Sequence, residues 1–316
     1  MSLATRITAA LQQIGLDVRA ILNADPAFPV GNIEVGLEGN LLLKSVTTQP
    51  TPPLLDRLQI YPRRRAGVDW LEFQRPSGRE LSVQPHFGLN RVGTWAPLSS
   101  ASVAISGMPR SAVGTASTPA LTATNLSTSS RRWRMQSAAT ANAAADERNA
   151  TNTIWRGNAS GLGGFTYVNR ISMLLVPVLT RAFFGVHSST GALATTQNPK
   201  LLINCLGIGF TEGVDANWQV YHNDASGAVT EIDMGVSFPI SSMTNLYTIF
   251  IVCVPNGSSI WIRVVEEVSG VVFEQELITN IPAPNVFLNV RNYMNNGGTA
   301  LAVAYECSGV YIETDY

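Results

Sequence analysis

The residues that could do chemistry are few, and their spacing is not typical of an enzyme or a metal site. The chain has three histidines, His86, His187 and His222. They lie far apart and form no HxH or HExxH spacing, so the sequence does not support a metal triad. The chain has three cysteines, Cys205, Cys253 and Cys307. Their spacing fits neither a disulfide framework nor a zinc site, and a cysteine in an apolar run behaves as a small buried hydrophobe.

Acidic side chains offer two further kinds of chemistry. One group is Asp215, Asp224, Glu231 and Asp233. Loop carboxylates of this kind could bind calcium, but no EF-hand spacing is present and solvated turn residues are the simpler interpretation. A glycosidase pair could come from a second group, Glu266, Glu267, Glu274 and Glu276. The first two are adjacent and would point to opposite faces of a strand, which argues against a catalytic dyad. We therefore predict no enzyme, no metal and no cofactor.

Two arginine clusters, 63–65 and 131–134, are the strongest local concentrations of positive charge. Arginine beside an aromatic residue can bind nucleic acid. The net charge is −1, however, and Lys44 and Lys200 are the only lysines. We therefore predict no nucleic-acid partner, and we expect these arginines to form forked hydrogen bonds with carboxylates and carbonyls at subunit interfaces.

The composition indicates a chain with much hidden surface. Of its 316 residues only 14% are charged and 45% are hydrophobic, whereas about 25% charged residues is usual for a soluble chain. No apolar run approaches the roughly 18 residues of a membrane span, and the N-terminus lacks the apolar core of a signal peptide. We expect neither membrane insertion nor secretion, and we expect other subunits to cover part of the surface.

The first 25 residues are predicted to form an oligomerising or attaching helix. Apolar residues recur at heptad spacing, at Ile7, Leu11, Ile14, Val18 and Ile21. Leucine at position a with isoleucine at position d favours trimers or tetramers over dimers. The alternative is a lone amphipathic helix that packs on its own domain. Asp25-Pro26 would end the helix, because the residue before proline avoids the helical region.

The middle of the chain is predicted to be irregular. Residues 26–110 contain short strand-like pieces between prolines, glycines and serines, and indicate a small β-rich shoulder region. Residues 111–150 are mostly alanine, serine and threonine. Such a stretch buries too little apolar area to fold alone, so it is predicted to be a linker or an arm laid against other subunits. The domain boundary is placed near residue 150.

Residues 151–316 indicate an antiparallel β-sandwich of the jelly-roll type. β-rich runs alternate with polar turns at intervals of about 8–12 residues, without a helical period. Four hairpins are predicted, with turns at 223–227, 255–259, 269–270 and 295–298. The predicted fold class is thus mainly β: a C-terminal sandwich, a short N-terminal α-helix and an extended, irregular β-rich middle region.

The order of motifs resembles a family of tailed-bacteriophage structural proteins, the tail fibre or receptor-binding fibre proteins. Four segments carry the resemblance: LATRITAALQQIGLDVRAIL; LEFQRPSGRELSVQPHFGLNRVGTWAP; TIWRGNASGLGGFTYVNRI with RAFFGVHSSTGAL; and NCLGIGFTEGVDANWQVYHNDASGAVTEIDMGVSFP with the terminal SGVYIETDY. The resemblance implies a homotrimer with an N-terminal segment that attaches to other virion proteins and a β-sandwich that meets the host surface. It also implies a virion protein assembled in the cytoplasm of the bacterial host, which fits the unpaired cysteines.

We therefore expect a trimeric tail fibre whose sandwich recognises a bacterial surface glycan or pilus. Loops on a rigid scaffold commonly carry binding, and aromatic rings stack well on sugar faces. The predicted receptor-binding residues are Trp218, Tyr221, Asn223 and Asp224. The alternative is a head fibre, a capsid decoration protein or a tail collar or baseplate component without receptor binding. A depolymerase is disfavoured because no repeats are visible.

Overall fold

The computed structural model describes residues 33–35, 41–43, 45–54, 58–74, 76, 78, 80–82, 91–97 and 103–314. The chain divides into two compact units, Met1–Phe87 and Gly88–Tyr316. The predicted helix that carries Ile7, Leu11, Ile14, Val18 and Ile21 lies outside the described residues and stays a prediction.

The first unit contains two small antiparallel sheets. One pairs β1 (Ile33–Val35) with β2 (Leu41–Leu43), and the other has the order β3 (Gln59–Arg65), β4 (Val68–Gln74), β5 (Glu80–Ser82). The turn between β3 and β4 places Ala66 and Gly67 at positive φ, the geometry of a two-residue hairpin turn. Buried Arg65 forms an ion pair with Glu72 on the neighbouring strand.

The second unit is an antiparallel β-sandwich, as the sequence predicts for the C-terminal part. Its seven-stranded sheet contains β8 (Arg110–Val113), β11 (Ala144–Asn149), β13 (Arg181–His187), β14 (Cys205–Thr211), β15 (Gln219–Asn223), β16 (Thr230–Asp233) and β20 (Asn289–Asn295). The order is β16-β15-β14-β13-β20-β11-β8.

The facing nine-stranded sheet contains β6 (Arg91–Pro97), β7 (Val103–Ser106), β9 (Thr115–Ser117), β10 (Trp133–Gln136), β12 (Phe165–Leu175), β17 (Tyr247–Cys253), β18 (Ile260–Glu266), β19 (Val272–Leu277) and β21 (Ala304–Thr314). Its main path is β19-β18-β17-β12-β21-β10-β9, and β6 joins β21 to β7. Within the described ranges, no helix has the length and hydropathy needed to cross a membrane.

Alternating side chains fill the space between the sheets. In β12, Phe165, Tyr167 and Ile171 are fully buried, whereas Thr166 and Val168 between them are partly exposed. This period of two is the pattern of a strand with one face on the core. Buried apolar residues of both sheets join in one cluster, so a single core holds the sandwich together.

The predicted boundary near residue 150 is wrong. Residues 111–150 are not a linker, because they contribute most of β8 and supply β9, β10 and β11 in full. Among the many small residues of this segment are three apolar side chains that point into the core and are fully buried: Trp133, Met135 and Ala145. The predicted shoulder region is also too long, since β6 and β7 belong to the nine-stranded sheet.

Three of the four predicted hairpins are confirmed, those joining β15 to β16, β17 to β18 and β18 to β19. The fourth is wrong, because β20 and β21 lie in different sheets. Both edges of β20 are already hydrogen-bonded, to β11 and β13. The turn-like residues 295–298 therefore begin a crossing from one sheet to the other.

A buried carboxylate links the two sheets. Glu147 of β11 forms an ion pair with Arg110 and accepts a 3.0 Å hydrogen bond from Trp133 Nε1 on the opposite sheet. Asn292 Nδ2 also contacts it at 3.4 Å, and Asn292 Oδ1 accepts from Asn169 Nδ2 of β12 at 2.7 Å. Burial raises the pKa of Glu147, and the charge of Arg110 opposes that rise. The polar chain fixes which residues face each other across the core.

The preceding residue, Asp146, holds a long loop on the outer face of the same sheet. This loop, residues 188–204, connects β13 to β14 and is called the strap. Arg291 Nη1 contacts both carboxylate oxygens of Asp146 at 2.8 Å, and the amide of Leu193 in the strap donates to Oδ2 at 3.1 Å.

Side chains of the sheet also donate to backbone carbonyls along the strap. Arg291 Nη2 contacts the carbonyl oxygens of Ser189 and Gly191, and Arg148 Nε contacts that of Thr190. Further donors are Tyr293, Arg181 and Asn295, which bond to Ala194, Thr196 and Gln197. The strap is therefore bound mainly through its backbone.

Replacing Arg291 with methionine should lower the free energy of unfolding by about 3–5 kcal/mol, because it removes the bidentate partner of buried Asp146 and the donor to two strap carbonyls. Asp146 would keep only the 3.3 Å contact with Arg148 and the amide of Leu193. Urea titration of the full chain measures this change. The control is Arg131→Met, an exposed arginine, where we expect a change within about 0.5 kcal/mol. Equal effects of the two substitutions would contradict the role of the ion pair.

Candidate functional site

The loops of the sandwich gather at two opposite ends. The chain enters the second unit's described sheet at Arg91 and leaves it at Thr314, and these two residues pair with each other. We call this the near end, and the opposite end the far end. The far end is therefore the end opposite to these two residues.

The candidate site involves five of the described far-end loops. They are 137–143, 176–180, 211–218, 234–246 and 296–303. All but 211–218 cross from one sheet to the other. Because these crossings close the sandwich, their positions are set by both sheets at once.

Hydrogen bonds join the far-end loops to one another. The amide of Leu179 donates to Glu212 Oε2 at 2.6 Å, and the amide of Glu212 donates to the Thr180 carbonyl at 2.7 Å. Asn296 Nδ2 donates to the carbonyls of Thr140 and Leu301 at 2.7 and 2.9 Å. These hydrogen bonds tie four loops together in two pairs.

An aromatic cluster supports the remaining loop from beneath. Trp218 lies edge-on to Phe210 and Tyr247, with ring centroids 4.9 and 5.6 Å away. Its amide donates to the Phe238 carbonyl at 2.8 Å, which attaches loop 234–246 to loop 211–218. Burial raises the pKa of Tyr247 to about 12, so its hydroxyl stays protonated and donates to the carbonyl of Pro239 at 3.1 Å.

The outer surface of these loops carries six exposed large hydrophobic side chains among small and polar residues. Its exposed large hydrophobic residues are Val178, Leu179, Val214, Val236, Met243 and Leu301. Val236 is 87% exposed and Val214 is 73% exposed. Grouped exposed apolar side chains of this kind mark interaction surfaces more often than isolated ones do. We call these six residues the far-end patch.

The far-end loops contain no lysine, arginine or histidine. The nearest cations are already engaged: Arg181 Nη1 donates to the Thr196 carbonyl at 3.0 Å. Lys200 Nζ lies 3.1 Å from Asp215 and 2.6 Å from Glu231. The patch therefore offers van der Waals contact and no site for an anion.

The structure corrects most of the predicted receptor-binding set. Trp218 is fully buried in the aromatic cluster, and Tyr221 is buried under the strap with its hydroxyl 3.2 Å from Asp215. Asn223 is also buried and closes a turn by donating to the carbonyls of Leu202 and Gly227. A side chain without exposed surface cannot contact a receptor. Only Asp224 is partly exposed, and it lies at the near end.

The other candidate chemistry also finds structural partners. Lys200 occupies the space between Asp215 and Glu231, so these carboxylates are already neutralised by an ammonium group. Arg132 and Arg134 both pair with Glu306 of the same chain, where the sequence led us to expect partners on other subunits. Among the described residues, no group of three or more His, Cys, Asp or Glu could hold a metal ion.

The near end carries a different surface. Trp155 stacks on Phe287 with ring centroids 5.2 Å apart, and Phe287 is half exposed. Beside them, Arg156 is buried and donates to the carbonyls of Pro282 and Gly257 at 2.6 Å each. This arginine fixes three near-end loops beside the aromatic pair.

Comparisons with known proteins do not assign the chain to a family. No protein-family model matches it, and no curated protein matches it at a significant level. Among solved structures it is similar to peanut lectin (9% identity, TM-score 0.47), covering 71% of this chain and 97% of the lectin. A protein of unknown function from Shewanella oneidensis MR-1 gives 10% identity and TM-score 0.47, covering 73% and 90%. A third, the lectin UEA-II complexed with galactose, gives 8% identity and TM-score 0.47, covering 72% and 99%. Similarities this distant assign no ligand to the present chain.

Glycine at position 297 should be required for the far-end loops to meet. Gly297 has φ +58°, and an added Cβ would lie 2.0 Å from the Leu179 carbonyl oxygen. Gly213, in a neighbouring loop, has φ +83° with open space around it. We expect Gly297→Ala to lower the free energy of unfolding by about 1–3 kcal/mol more than Gly213→Ala does, because both strain φ but only the first also clashes. Urea titration measures both, and equal losses would contradict this account.

Proposed function

We propose that this protein is a virion structural protein of a tailed bacteriophage, a trimeric tail fibre whose sandwich mediates recognition of the host cell. On this proposal it acts by binding and not by catalysis. The motif order of the sequence, the heptad spacing over 3–22 and the low charge support a role in an assembly. The far-end patch carries the receptor proposal, because it is apolar, braced and remote from the chain connections at Arg91 and Thr314.

The order of the chain supports the assignment of roles to the two ends. If the N-terminal region attaches to other virion proteins, the chain reaches the sandwich at the near end. The far end is then free to meet the host. The alternative, a head fibre, decoration protein or collar component, uses the same patch for contact with another virion protein.

An adsorption assay tests the proposal with the full chain. Purified protein should reduce adsorption of the phage that carries it, and Leu301→Asp should weaken that inhibition by about tenfold or more, because a carboxylate would be buried against an apolar partner. Leu201→Asp in the strap is the matched control, since the two leucines are 60% and 61% exposed. We expect the control to inhibit as the unchanged protein does.

Three results would contradict the proposal in different ways. If the unchanged protein does not inhibit adsorption, host recognition is wrong and the structural alternative gains support. If only Leu201→Asp loses inhibition, the receptor surface lies on the face of the sheet that the strap covers. If both variants inhibit normally, neither leucine contacts the receptor and the far-end patch is not the site.

A further inference from the structure

We propose that the partner of the far-end patch is a protein surface with an exposed apolar area, and not a polysaccharide. This inference rests on the proposed function and names the class of receptor. It follows from three properties of the patch: the type of its apolar side chains, its charge and its rigidity.

The apolar side chains of the patch are aliphatic. Val178, Val214, Val236 and Leu301 are each at least 60% exposed. Sugar rings are recognised chiefly by stacking on flat aromatic faces together with directional hydrogen bonds, and the rings of Trp218, Phe210 and Tyr247 beneath these loops are buried in the core. Branched aliphatic groups instead pack into the irregular apolar surface of another protein, as they do in a core.

The charge of the patch points the same way. Many bacterial surface polysaccharides carry phosphate or carboxylate groups, which are bound by arginine and lysine. The far-end loops contain neither residue, while Glu212 accepts from the amide of Leu179 and Asp233 accepts from Asn217 in the loop of Val214. Such a surface repels a polyanion and accepts a neutral or basic protein surface.

The loops that carry the patch are held before any partner binds. Glu212 joins loop 211–218 to loop 176–180, because its carboxylate accepts from the amide of Leu179 and its own amide donates to the carbonyl of Thr180. Asn296 joins loop 296–303 to loop 137–143 through the carbonyl of Thr140. Asn217 Nδ2 donates to the Asp233 carboxylate at 3.2 Å, which attaches the loop of Val236 to that of Val214. Because little ordering remains to be done on binding, modest apolar contact can yield useful affinity.

Binding of the labelled full chain to host cells tests the inference. Treating the cells with a broad protease should lower the amount of bound protein by about tenfold or more. Oxidising the cells with periodate, which cleaves sugar diols, should leave the amount of bound protein unchanged. Binding should also vary little between about 50 mM and 500 mM NaCl, because apolar contacts are not screened by salt.

Val214→Asp should lower binding by about tenfold. Its matched control, Ile278→Asp at the near end, should not, the two residues being 73% and 71% exposed.

The outcomes separate this inference from the function on which it rests. Loss of binding after periodate but not after protease would overturn the protein partner and leave host recognition intact. Loss after protease with normal binding by Val214→Asp would overturn the far-end patch as the contact. Absence of binding to untreated cells would contradict host recognition itself.

Discussion

Two consecutive carboxylates on one strand hold this sandwich in register. Asp146 and Glu147 of β11 are both buried, and they point to opposite faces of the seven-stranded sheet. Glu147 reaches across the core to Trp133 of the opposite sheet, and Asp146 fastens the strap to the outside through Arg291. Buried charges are costly unless they are paired and hydrogen-bonded. The partners of these two groups therefore have to occupy fixed positions, and the crossings at the far end follow from the alignment of the two sheets.

The sequence indicates much of this fold because hydrophobic alternation and turn residues act locally. The hairpins around residues 223–227 and 255–259 could be predicted from turn composition alone. The fourth turn could not, since its composition is the same and only the occupied edges of β20 decide that the chain crosses to the other sheet. Strands β10 and β11 were hidden for a different reason. Their outward positions carry small or polar residues. Their charged residues pair with residues more than a hundred positions away in the sequence: Asp146 of β11 with Arg291, and Arg134 of β10 with Glu306.

The candidate site could be predicted only in part. The position of Trp218 and Tyr221 near turns predicts a binding role, yet large aromatic side chains commonly fill a core, and both are buried here. A weaker signal does mark the far end: Gly213-Val214 and Gly235-Val236 place a valine directly after a glycine of positive φ. The glycine turns the backbone at the loop tip, and the valine that follows is left on the surface. Which of these tips lie side by side depends on the topology of both sheets, and no local pattern contains that information.

An image of the intact virion at a resolution that orients the sandwich tests the central claim most directly. The account predicts three copies at the tail, with the near end, where Arg91 pairs with Thr314, towards the particle. The far-end patch of Val214, Val236 and Leu301 would then point outward into solvent. A far-end patch buried against another virion protein, or copies attached to the head, would contradict host recognition by this end of the sandwich.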